Sequence, residues 1–226
     1  MFFVVGRKGI AIIVSVIIVI AMITTFFCVD TGIPPYVKTI VIDAGHGGID
    51  GGCVGKRYGA IESELNLAYS QELKKVCENF GFRVIMTRET AEGLYSPLAP
   101  NKKKSEMQKR EKIICESKCD ILISIHMNSL NIASVKGAQA FYKKGSEEGK
   151  KLADSITESL AKGGNKIRNG ATVGDYYVLN CNEKAGVLIE CGYLSNAEEE
   201  YQLMQKEYRK TFCENVFYGI VNYLKN

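Results

Sequence analysis

The only two histidines of this 226-residue chain each follow an apolar, β-branched segment that is typical of a buried strand. His46 ends the segment that begins at Thr39, and His126 ends the segment that begins at Asp120. In an open α/β sheet, ligands bind beyond the carboxyl ends of the strands, so both imidazoles are expected at that edge. Because neutral imidazole is the commonest metal ligand among side chains, the two residues predict a zinc centre.

Two acidic residues could complete this site. Glu62 lies at the predicted start of a helix, where the helix dipole also favours a carboxylate, so this residue alone fits either role. Glu190 lies within an apolar strand segment, where a carboxylate is costly unless it is paired, metal-bound or functional. Two histidines and one glutamate form catalytic zinc sites, and a further carboxylate can act as general base. The residues indicate zinc-assisted hydrolysis of an amide or ester, with the substrate left open.

The segments that must position these groups alternate between strands and helices. Strands are predicted at 38–43, 83–87, 121–126, 138–142, 176–180 and 187–191. Helical spacing of apolar residues is found at 62–80, 105–117, 146–161 and 207–224, and a loop is predicted at 89–104. The alternation predicts a single three-layer α/β domain, with a mostly parallel or mixed sheet of about six strands flanked by helices.

The N-terminal part of the chain resembles a membrane anchor. Residues 9–28 carry no charge and, as a helix, would span the hydrocarbon core of a bilayer. Basic residues precede this segment and none follows until Lys38, so the positive-inside rule keeps the N-terminus in the cytoplasm. The predicted organisation is a cytoplasmic segment at 1–8, a transmembrane signal-anchor at 9–28, a linker at 29–36 and an extracytoplasmic catalytic domain at 37–226.

The composition does not indicate nucleic-acid binding, and the positions of the cysteines do not indicate disulfide bonds. The net charge of +4 is too small to indicate a nucleic-acid-binding protein. Several of the eight cysteines lie at predicted core positions, so we expect mostly reduced thiols. Cys191, which follows Glu190, is expected to point away from the metal, because successive side chains of a strand face opposite sides.

Four segments resemble the signature blocks of the zinc-dependent N-acetylmuramoyl-L-alanine amidases, and they occur in the family's order. They read VIDAGHGG from Val41, IESELNLA from Ile61, ISIHMN from Ile123 and VLIECGYLSN from Val187. The resemblance implies a single zinc ion with three protein ligands, which are His46, Glu62 and His126. It also implies that Glu190 is the catalytic acid and base.

The resemblance further implies hydrolysis of the amide bond between N-acetylmuramic acid and L-alanine in peptidoglycan. The short chain, the anchor and the absence of wall-binding repeats most resemble the sporulation branch of the family, the CwlD type, which trims spore-cortex peptidoglycan. The catalytic domain would then act outside the cytoplasm, as in the space between the two membranes of a forespore. Two alternatives remain: another zinc peptidase or deacetylase of the cell wall, and an inactive, membrane-tethered wall-binding protein.

Regulation is expected from outside the domain. Some amidases of this family carry an extra helix between the second histidine and the catalytic glutamate, and that helix plugs the zinc site. Here the interval from His126 to Glu190 contains two predicted strands and one ordinary helix, which leaves no evident room for a plug. The sequence therefore favours control by an accessory activator protein or by the state of the substrate.

Overall fold

The computed structural model describes residues 37–181 and 183–225, which belong to the predicted catalytic domain. The predicted cytoplasmic segment at 1–8, signal-anchor at 9–28 and linker at 29–36 all lie outside the described residues. Within the described ranges, no helix is both long and apolar enough to cross a membrane.

A mixed sheet of six strands forms the centre of the catalytic domain. The strands are β1 (Thr39–Ala44), β2 (Arg83–Met86), β3 (Ile121–Asn128), β4 (Gln139–Tyr142), β5 (Thr172–Val173) and β6 (Ala185–Tyr193). Their order across the sheet is β2-β1-β3-β6-β4-β5. Strands β2, β1, β3 and β6 are parallel, and β4 runs antiparallel to β6. The predicted α/β class and the mixed sheet of about six strands are confirmed.

Six helices accompany the sheet in the described part of the chain. They are α1 (Glu62–Asn79), α2 (Lys102–Ser117), α3 (Glu147–Lys162), α4 (Tyr177–Asn180), α5 (Ala197–Met204) and α6 (Lys206–Lys225). Polar caps fix several of their first turns: the side chain of Asn101 accepts a hydrogen bond from the Lys104 amide at 2.9 Å, and Ser146 accepts one from the Gly149 amide at 3.0 Å. The four helices expected from apolar spacing are all present.

The predicted strand at 176–180 is wrong. Tyr176 is followed by the short helix α4, and the edge strand β5 lies earlier, at Thr172–Val173. Periodicity cannot separate a strand from a helical turn in so short an apolar segment. Here tertiary packing decides the outcome, because Val178 and Leu179 are both buried in one cluster with residues of β3, β6 and α2. Helix α5 was not predicted either.

A buried ion pair links α2 to the central sheet. Asp43 of β1 is almost completely buried, and its Oδ1 accepts a hydrogen bond from Arg110 Nη1 at 2.5 Å and one from Thr87 Oγ1 at 2.8 Å. Its Oδ2 accepts one from Ser124 Oγ at 2.7 Å. Burial raises the pKa of Asp43, but Arg110 and Ser124 outweigh burial and hold the pKa below its usual range. The carboxylate is therefore ionised and fully paired.

We expect Arg110→Met to lower the free energy of unfolding by about 3–5 kcal/mol, because it leaves Asp43 buried without its cation. Urea titrations would measure this loss, and adding Asp43→Asn should recover part of it. The matched control is Lys112→Met, which removes an exposed cation from the same helix. A loss from Arg110→Met no larger than that from the control would contradict the interpretation.

The same ion pair predicts a pH dependence. Because the pKa of Asp43 is lower in the folded chain than in the unfolded chain, its stabilising contribution is present above about pH 4, the ordinary aspartate pKa. The contribution is lost as the pH falls through the folded-state pKa. The difference in unfolding free energy between the wild type and Arg110→Met should therefore shrink on acidification below pH 4.

Candidate metal centre

The first histidine follows the end of β1 and has a backbone conformation that residues other than glycine rarely adopt. His46 has a φ of +60°, in the left-handed region. Two arginines hold the backbone around it through its carbonyl groups. Arg88 donates to the oxygens of Ala44 at 3.0 Å and Gly45 at 2.9 Å, and Arg110 donates to those of Ala44 at 2.7 Å and His46 at 2.5 Å. We call these contacts the arginine clamp.

The second histidine lies within β3, two residues before the strand ends at Asn128. Its ring approaches the loop after β1 so closely that residue 45 must be glycine. A Cβ atom at Gly45 would lie 2.3 Å from Cε1 and Nε2 of His126. The rings of His46 and His126 are edge-to-face, with centroids 5.0 Å apart. The prediction that the two histidines meet at one edge of the sheet is confirmed.

Glu62 brings its carboxylate between the two imidazoles. It is the first residue of α1 and is buried, and its Oε1 lies 3.1 Å from Nε2 of His46 and 3.0 Å from Nδ1 of His126. Its Oε2 accepts a hydrogen bond from the Cys53 amide at 2.8 Å. Burial raises the pKa of Glu62, but the contacts with His126 and His46 outweigh burial and hold the pKa well below its usual range. Glu62 is therefore an ionised carboxylate, as a metal ligand must be.

The geometry of this cluster suits one small metal ion. Candidate ligand atoms of the three residues lie within 4.8 Å of one another. Ligands about 2.0–2.2 Å from a tetrahedral zinc ion lie about 3.3–3.6 Å apart, slightly more than the 3.0 and 3.1 Å contacts that Glu62 makes. Two imidazole nitrogens and one carboxylate oxygen also form a donor set that leaves a position for water or substrate. The cluster is a candidate metal site.

The sequence analysis did not identify Asp50, whose carboxylate contacts the His46 ring on the side away from Glu62. Oδ1 of Asp50 lies 3.0 Å from Nδ1 of His46, so the other ring nitrogen remains available to a metal ion. Asp50 is held in turn by the Gly52 amide at 3.2 Å and by an ion pair with Lys103. Burial raises its pKa, but Lys103 and His46 outweigh burial and lower the pKa to about 2. The only signal in the sequence is an aspartate four residues after the histidine in a glycine-rich loop.

Glu190 lies beside the cluster. It is the register partner of His126 where β3 and β6 pair, so both side chains project from the same face of the sheet. Its Oε2 is buried and has no hydrogen-bond partner in the described ranges. Burial raises the pKa of Glu190 to about 7, and the nearby charge of Glu62 acts in the same direction. Such a carboxyl group can both accept and return a proton near neutral pH.

Cys191 lies on the opposite face from Glu190, as predicted. It is buried, and it follows Glu190 directly in β6, where successive side chains face opposite sides of the sheet. The seven cysteines within the described ranges are all free thiols.

Two buried glutamates of α5 support the site from a distance, and neither was singled out from the sequence. Glu200 accepts hydrogen bonds from the amides of Arg57 and Tyr58, each at 2.8 Å, and so fixes the loop between the first histidine and α1. Glu199 accepts from the amides of Gly137 at 2.8 Å and Tyr193 at 2.7 Å. Their signal in the sequence is a glutamate run after a polar helix cap, which is also typical of an exposed first turn.

Most of the chain matches a known protein family. The family model described as N-acetylmuramoyl-L-alanine amidase matches residues 40–222, which include all four predicted site residues. The chain belongs to this amidase family. The match confirms the family expected from the four sequence blocks. It also identifies the protein as an enzyme, and it favours an amidase over a deacetylase, another peptidase or an inactive wall-binding protein.

Relatives of the amidase include a germination-specific amidase and solved amidase structures. It is 32% identical over 194 residues to the germination-specific N-acetylmuramoyl-L-alanine amidase of Bacillus subtilis (strain 168), covering 82% of this chain and 79% of the relative. Among solved structures, it resembles the CwlD amidase from Clostridioides difficile, determined in complex with the GerS lipoprotein, with 35% identity and a TM-score of 0.80. That likeness covers 83% of this chain and 98% of the CwlD chain.

A further structural relative is the catalytic domain of CwlV from Bacillus (Paenibacillus) polymyxa var. colistinus. It has 29% identity and a TM-score of 0.73, and the likeness covers 83% of this chain and 98% of that domain. The six-stranded domain of the amidase is thus shared almost completely by both solved structures.

We expect Asp50→Asn to weaken zinc binding by about 10–100-fold, the range for removing a carboxylate that orients a metal-ligating histidine. Competition with a fluorescent chelator would measure the affinity. Asp154→Asn is the matched control, because Asp154 is also paired with a lysine but lies on the exposed surface of α3. Equal zinc affinities for the two variants would show that Asp50 does not orient His46.

Proposed function

We propose that the amidase holds one zinc ion through His46, Glu62 and His126 and hydrolyses the bond between N-acetylmuramic acid and L-alanine in peptidoglycan. The observation that carries this proposal is the convergence of two imidazole nitrogens on one buried, ionised carboxylate oxygen. When bound, the ion would polarise the amide carbonyl and lower the pKa of water at the site. The proton transfer would be carried out by a side chain near the ion.

Glu190 is the group that moves the proton. Its carboxylate removes a proton from the attacking water while the water oxygen bonds to the carbonyl carbon. It then gives that proton to the alanine nitrogen as the carbon–nitrogen bond breaks. The products are a lactyl carboxylic acid on an intact glycan and a peptide with a free L-alanine N-terminus. The unpartnered Oε2 and a pKa of about 7 support both halves of this transfer.

The substrate we propose is spore-cortex peptidoglycan, reached from the outer face of a membrane. Similarity to the germination-specific amidase of Bacillus subtilis supports the cortex as substrate. The uncharged segment at 9–28 supports a tether, with the catalytic domain beginning near residue 37. The structure of CwlD in complex with the GerS lipoprotein supports an accessory protein as activator.

Glu190→Gln should keep the fold and the bound zinc but lower kcat by about 10²–10⁴-fold, because the amide cannot carry the proton. Purified peptidoglycan would be digested, and mass spectrometry would count the peptides that begin with L-alanine. The control is Glu158→Gln, an exposed glutamate paired with Lys162 on α3. Turnover by Glu190→Gln equal to that of the control would assign proton transfer to another group.

A further inference from the structure

A cavity of about 160 Å³ opens beside the two histidines, between the sheet and helix α2. His46 and His126 form part of its lining, and Met107, Val178 and Leu188 form an apolar part of its wall. An engineered cavity of similar size, about 150 Å³, holds a benzene molecule, so this one can receive a substrate group of about six non-hydrogen atoms. Its position places any such group next to the candidate metal site.

Tyr176 lines the same cavity and is held there by its neighbours. Its ring packs edge-to-face on Phe141 of β4, with centroids 5.3 Å apart. Gly174 makes room for it, since a Cβ atom at that position would lie 2.4 Å from Cε2 of the tyrosine ring. Residue 174 must therefore be glycine for the ring to lie here, and the contact with Phe141 holds the ring at the cavity.

The hydroxyl of Tyr176 has no hydrogen-bond partner among the described residues, whereas the neighbouring hydroxyl of Tyr177 donates to Glu111 at 2.5 Å. Burial raises the pKa of Tyr176 to about 12, and the charge of Glu190 acts in the same direction. The phenol is therefore protonated at neutral pH and can act as a hydrogen-bond donor.

We propose that Tyr176 is a second catalytic residue, whose hydroxyl donates a hydrogen bond to the carbonyl oxygen of the scissile amide as that carbon becomes tetrahedral. The inference rests on the proposed function, because it needs an amide carbonyl at the site. Negative charge develops on this oxygen during attack, and a donor already held in place stabilises it more than mobile water would. The hydroxyl keeps its proton throughout, and the proton that reaches the leaving nitrogen comes from water through Glu190.

Tyr176→Phe tests this role, because it removes the donor and keeps the ring that packs on Phe141. With the 226-residue chain in mild detergent, kcat on purified peptidoglycan should fall by about 10²–10³-fold, the loss on removing one oxyanion donor. Zinc content and melting temperature should match the wild type. The control is Tyr223→Phe, which removes a phenol hydroxyl that donates to Glu148 on the surface. The control should keep wild-type kcat.

A binding measurement separates transition-state stabilisation from general damage. The probe is a muramoyl–alanine analogue in which a phosphinate replaces the scissile amide, compared with the glycan product by calorimetry. Tyr176→Phe should weaken phosphinate binding by the same factor as kcat and leave product binding unchanged. Unchanged kcat, or equal losses for phosphinate and product, would overturn the inference and leave the proposed function standing. Failure of the wild type itself to release L-alanine peptides would overturn both.

Discussion

The arginine clamp is the interaction on which the site depends. The chain leaves β1 and turns sharply at His46, in a left-handed conformation that costs a non-glycine residue about 1–3 kcal/mol. Such strain persists only where the surroundings fix the backbone. Arg88 and Arg110 do so by donating to three successive carbonyl groups, from Ala44 to His46. Because Arg110 also pairs with the buried carboxylate of β1, the turn is fixed to the central sheet.

The centre contains two carboxylates whose environments give them opposite properties. Glu62 lies between two imidazoles, which keep it ionised and suited to hold a metal. Glu190 projects from the same face of the sheet as His126, but burial without a hydrogen-bond partner in the described ranges raises its pKa to about 7. Enzymes use opposite pKa shifts in one site to give two side chains of the same type different roles. We therefore infer that Glu62 binds the metal and Glu190 transfers the proton.

The sequence predicted the parts of this site that follow from regular structure. His46 and His126 follow apolar strand segments, and parallel strands bring their carboxyl ends to one edge, so their meeting could be expected. The arginine clamp could not be derived in this way, because contacts between distant elements leave no periodic pattern in the sequence. Asp50 was missed for a different reason: it lies four residues after His46 in an irregular loop, where periodicity does not predict side-chain contacts. The misassigned strand at 176–180 has a related cause. Its few apolar residues fit either a strand or a helical turn. The burial of Val178 and Leu179 against the sheet and α2 favours the helix α4.

X-ray absorption at the zinc K edge tests the central claim most directly, since it reports which atoms surround the ion. Three or more nitrogen or oxygen neighbours at about 2.0–2.2 Å, with outer-shell scattering from two imidazole rings, would match His46, His126 and Glu62. Cys53 is a specific alternative ligand, because its backbone amide donates a hydrogen bond to Glu62 and its thiol also lies close to that carboxylate. The account predicts no sulfur neighbour. A sulfur atom at about 2.3 Å, or the loss of one histidine nitrogen, would contradict it.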